Sequence, residues 1–122
     1  MMNSDHKKAL LLLHTVIFNY HGLDKDEQLL LEETSQNLGG ADELKWVQAF
    51  VQEDVVTSFD RARQFFKETI SSYDKETRIY FLKTVWEASN KKGYLTEMEA
   101  MAILKLAKDL EVQKELLTIV RK

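Results

Sequence analysis

The chain contains no cysteine and no proline, and only four glycines among its 122 residues. Without cysteine there can be no disulfide, no thiolate zinc site and no cysteine nucleophile, and the composition fits a reducing cytoplasm. Without proline the strongest breaker of helices is missing. A net positive charge is lacking too: 17 Lys and Arg stand against 20 Asp and Glu, for a formal net charge of −3. That argues against nucleic acid, whose phosphates call for a concentrated basic face. Arg61, Arg63, Lys105 and Lys108 are instead interleaved with acids, the pattern of solvated helix faces.

A membrane-spanning run is also lacking. Lys7 and Lys8 precede an apolar stretch at 9–18, which has the outline of a signal peptide. No small-x-small cleavage site follows, and His14 and Thr15 interrupt the run. It is too short for an integral span, which takes about 20 apolar residues. We read it as a core helix; peripheral membrane attachment through it is a weaker reading.

What is present points to helices. The 44% hydrophobic and 30% charged content is that of one globular domain over 1–122. A chain of this length buries roughly two-thirds of its unfolded surface. Apolar spacings of three and four predict helices at 4–20, 24–38, 42–52, 58–71, 74–90, 96–110 and 113–120. The one β-branched cluster, Val55 to Thr57, is too short for a strand. The fold class is therefore all-α, a bundle of about seven helices. The sixth, with Met98, Met101, Ile103, Leu104, Leu106, Ala107 and Leu110 covering much of its circumference, is expected to be the most central.

A local pattern occurs twice. At 14–38 and again at 85–110 an apolar helix runs into Asn, two residues and Gly; a Leu, a capping residue and a Glu then open the next helix. Gly22 and Gly93 are offset by 71 (93 − 22), Glu27 and Glu99 by 72 (99 − 27), with Tyr94 inserted so that Leu23 matches Leu95. Asp24 with Glu27, and Thr96 with Glu99, have the spacing of a capping box. Connectors this short turn the flanking helices sharply. The expectation is an internal pseudo-twofold repeat: hairpins at about 8–40 and 73–111, bridging helices at 41–72 and a terminal helix at 112–122.

On these corners the chain resembles the tellurite-resistance TerB-like family. The run Gly93, Tyr94, Leu95, Thr96, Glu97, Met98, Glu99 follows the family's Gly-x-hydrophobic-x-x-x-Glu pattern, and Gly22 to Glu27 is one residue shorter. The family typically has Asp immediately before the Gly, where this chain has His21 and Lys92. The resemblance thus carries fold but not the divalent-cation site proposed for the family. It implies a non-catalytic module associated with stress responses, of a kind also found beside DnaJ-type co-chaperone domains.

Bland and functional readings compete at each candidate residue. Asp24, Asp26, Glu27, Glu97 and Glu99 could converge on Ca²⁺ or Mg²⁺. Acids crowd a first turn more simply because they cap it and favour its dipole. His6, His14 and His21 lack a third ligand partner, and His14 reads as a partly buried or surface residue of the first helix. Asn19 and Asn90 sit three residues before each Gly and serve local backbone groups unless the corners meet. No nucleophile elbow or phosphate loop is present, so an enzyme is not expected and no cofactor is assigned. The adjacent pairs Phe65–Phe66 and Tyr80–Phe81 must point about 100° apart on a helix. We expect Trp46, Phe50, Phe65 and Phe81 to offer an interaction surface for a protein partner or a second copy, against the plainer reading of a wide core. The alternative is a divalent-cation-binding or sensing domain at the two Gly corners.

Overall fold

The computed structural model describes residues 3–18, 25–91 and 96–120. Among them are seven helices: α1 (Ser4–Phe18), α2 (Lys25–Leu38), α3 (Ala41–Glu53), α4 (Ser58–Thr69), α5 (Lys75–Lys91), α6 (Glu97–Asp109) and α7 (Gln113–Val120). The bundle is all-α as expected. The corners at 19–24 and 92–95, with Gly22, Leu23, Asp24, Gly93 and Leu95, lie outside the described residues.

The centre of the bundle is α1, not α6. Every residue from Ala9 to Phe18 is buried, and α1 packs against α2, α3, α4, α5 and α6. A helix apolar around its whole circumference belongs inside. Its two polar side chains are turned onto the helix's own backbone: His14 Nδ1 meets the Leu10 carbonyl at 2.8 Å, and the Thr15 hydroxyl donates to the Leu11 carbonyl at 2.7 Å. His14 is thus a fully buried residue rather than a surface one. By contrast, α6 keeps Ala102, Ile103, Leu106 and Ala107 inside while Met98 and Met101 remain half or more exposed. It is an outer helix. Nor do α3 and α4 merely bridge two hairpins; both lie along α1.

Several helix ends are closed by local side-chain caps and tight backbone turns. Thr96 and Glu99 form the expected capping box: the Thr96 hydroxyl accepts from the Glu99 N–H at 3.1 Å, and a Glu99 oxygen accepts from the Thr96 N–H at 3.3 Å. Asp74 caps α5 by accepting the Thr77 N–H at 2.8 Å; hydrogen bonds from the Thr77 side chain and then from this N–H hold its carboxyl below the usual range. Gly39 at φ +64 closes α2, where its N–H and that of Gly40 reach the Gln36 and Ser35 carbonyls. Glu111 makes the same turn after α6 at φ 59, with its N–H and that of Val112 on the Lys108 and Ala107 carbonyls.

The arginines are not solvated decoration. Arg61 donates to the Phe50 and Asp54 carbonyls at 2.9 and 2.7 Å, closing the end of α3 from α4. Arg63 grips Asp109 with two bonds of 2.7 and 3.0 Å, joining α4 to α6. That hydrogen bonding lowers the Asp109 pKa and raises that of Arg63. Arg78 donates to the Leu110 carbonyl at 2.8 Å, tying α5 to the end of α6.

Candidate interaction face

The aromatic residues expected at a surface are built into seams. Trp46 and Phe50 of α3 meet Phe65 of α4 with ring centroids 5.2–6.3 Å apart, and all three are half-buried. Cations cover the cluster: the Lys8 ammonium lies 4.9 Å from the Trp46 ring, and the Arg61 guanidinium 4.7 Å from that of Phe50. The three rings therefore join α3 to α4 before they can offer a contact to anything else. Phe81 is fully buried, stacked on Tyr73 at 6.1 Å, which removes it as a surface residue. The two helical directions of an adjacent pair explain why: Tyr80 is the exposed member there, while Phe66 is the buried member beside half-buried Phe65.

The acidic candidates differ in burial, and Asp24 lies outside the described residues. Asp26 and Glu97 are exposed, and Glu27 and Glu99 are fully buried. Glu99 spends an oxygen on Thr96, as the capping reading expects. Among the described residues no three His, Asp or Glu side chains form a group that could hold a metal ion. Asn90 is exposed, while Asn19 and His21 lie outside the described residues. His6 packs edge-on to Tyr73 at 4.4 Å.

A different face emerges on the outer side of α6. Met101, Ala102, Leu104, Lys105, Lys108 and Gln113 line an open, mostly apolar hollow of about 400 Å³. A second hollow of about 430 Å³ lies between Lys105 and the turn before α4, lined by Val16, Val55, Val56, Ser58, Phe59 and Asp60. Lys105 belongs to both walls. Val56 is 93% exposed, an unusual position for a β-branched apolar residue, because the Asp54 carboxylate accepts its N–H and fixes the turn outward. Among the described residues neither Lys105 nor Lys108 forms a salt bridge. The chemistry of this face is apolar contact edged by the ammonium groups of Lys105 and Lys108, with the Asp60 carboxylate in the second hollow. Sequence reading missed it by treating α6 as central; the signal was the heptad pairs Met98–Lys105 and Met101–Lys108, which no single buried stripe could hold.

Among the described residues no helix is long and apolar enough to cross a membrane. No family model, curated protein or solved structure matches the chain.

Proposed function

We propose that this chain is a non-catalytic protein-interaction module, a scaffold of the stress-associated kind that the TerB-like resemblance implies, working in the cytoplasm. The observation that carries this reading is the face just described: exposed Val55 and Val56 line one hollow, exposed Met101 lines the other, and Lys105 belongs to both. Scattered apolar residues are ordinary on any protein, but a contiguous apolar set with a polar edge is the anatomy of a contact surface. Methionine suits such a surface because its unbranched thioether adapts to the partner's shape. The walls favour binding over turnover: Ser58 commits its hydroxyl to the Val55 carbonyl at 2.8 Å, and the other polar groups are ammonium, amide and one exposed carboxylate.

A cross-linked pull-down from native lysate tests the reading, comparing the wild type with a Val56→Asp, Met101→Asp variant. A near-stoichiometric partner that the variant loses, while its melting curve stays unchanged, supports the assignment. Equal recovery by both proteins would remove this face from the function.

A further inference from the structure

The outward residues of α2 and α6 share a register. At the offset of 72, Leu29 corresponds to Met101, Asp26 to Met98, Glu33 to Lys105 and Gln36 to Lys108. The inward residues keep the same offset: Glu27 and Glu99, Leu31 and Ile103, and Ser35 and Ala107 are all buried. Two helices rooted alike therefore turn corresponding faces to solvent. The α2 face carries one exposed apolar side chain, Leu29 at 55%, and the α6 face two, Met98 at 50% and Met101 at 63%. Their exposed charges differ in balance: α2 carries Lys25 with Asp26, Glu32 and Glu33, while α6 carries Glu97 in its first turn and then Lys105 and Lys108, which edge the hollow.

We infer that the occupant of the α6 face is α2 of a second copy of this chain, with Leu29 on the Met101–Leu104 hollow and Glu32 and Glu33 beside Lys105 and Lys108. This rests on the reading of α6 as an interaction face and names what covers it. Like faces are mutually excluded, since pairing α2 with α2 would oppose carboxylates and pairing α6 with α6 would oppose ammonium groups. Only the crossed pairing both buries the apolar residues and neutralises the charges. The contact is heterologous. Two reciprocal contacts close a dimer, whereas one per pair propagates an open chain.

Sedimentation velocity of the full chain over a rising concentration series tests the inference, with variants Lys105→Glu/Lys108→Glu and Glu32→Lys/Glu33→Lys. The wild type should self-associate, more weakly at high salt because the exposed charges are screened. Each charge-reversed variant should associate about tenfold or more weakly, and an equimolar mixture of the two should recover the association. Circular dichroism melts establish that each variant is folded. As a second measurement, the methyl resonances of Met98 and Met101 should move with wild-type concentration. A wild type that stays monomeric throughout, or association that ignores both reversals, overturns the inference. If the chain is monomeric yet the lysate partner is still lost with Met101→Asp, the interaction module stands and only its occupant changes. If self-association follows the charges while lysate recovery is unaffected, the second copy is the whole of the face's function.

Discussion

The helices α1 and α6 are nearly matched in length, at 15 and 13 residues, and both are rich in apolar residues, yet they meet opposite fates. The whole of Ala9 to Phe18 is sealed, polar members included, whereas α6 buries one side and leaves Met98, Met101, Lys105 and Lys108 outside. The difference lies in neighbours. Five helices surround α1, so even a residue on its polar side faces another element; α6 meets the bundle on one side and solvent on the other. Apolar content alone does not rank helices by depth. The charges threaded between the apolar residues do, because a lysine ammonium left inside would lose its hydration without recompense.

The contrast can be broken most forcefully in the core. Leu13→Ala should destabilise the protein by about 2–5 kcal/mol, the range for a truncated buried leucine, while Met101→Ala should change stability by no more than about 0.5 kcal/mol. Urea titrations of both variants measure the gap directly, and equal effects would refute the assignment of centre and edge. The Arg63–Asp109 pair, which fixes α4 to α6, comes next. Arg63→Ala should cost about 1–2 kcal/mol by removing two charge-assisted bonds from a half-buried carboxylate. The loss should shrink in acid, because the Asp109 pKa is lowered from 3.8 in the folded state and that stability disappears once the carboxylate is protonated.

His14 sharpens the comparison through pH. Burial lowers its pKa from 6.5, and the nearby Leu10 and Thr84 carbonyls offset this only in part. The unfolded chain therefore binds the proton first. Stability should be level above 6.5 and fall below it, by at most about 1.4 kcal/mol per pH unit, until the folded-state pKa is reached. In thermal melts between pH 7.5 and 5, His14→Leu should flatten that decline; an unchanged slope would show that the acid sensitivity originates elsewhere. The smallest effect is a gain. Glu111 holds φ 59 at the end of α6, a conformation costing a side-chain-bearing residue roughly 1–2 kcal/mol. Glu111→Gly relieves it but raises backbone entropy in the unfolded state by roughly 0.5–1 kcal/mol, leaving a net stabilisation of about 0.5–1 kcal/mol. A lowered melting temperature would contradict the cap.

Much of the fold was legible residue by residue. The spacings of three and four that predict α3, α4 and α5 run through Leu44, Val47, Val51, Ala62, Phe66, Leu82 and Val85, all buried, and through Phe59, Ile79 and Trp86, which are half-buried. The Thr96–Glu99 box was readable because both partners lie within one helical turn. The interaction face was less so. Trp46, Phe50 and Phe65 announced apolar bulk but not the cations covering it, since Lys8 and Arg61 arrive from other elements. Phe81 could not be told from Tyr80 by composition; which of the two points inward depends on where α5 stands against its neighbours.

By itself, then, the sequence determined what is local. Periodicity at 3.6 residues set the seven helices, the absence of proline left them unbroken, and local caps such as Thr96, Asp74 and Gly39 set some of their ends, because each of these acts within a turn or two of backbone. The tertiary structure decided which helix is surrounded, which arginine reaches which distant carbonyl, and which apolar residues remain exposed. Those outcomes depend on contacts such as Arg63 with Asp109, 46 residues apart, and no pattern along the chain encodes the direction in which two distant helices come to face.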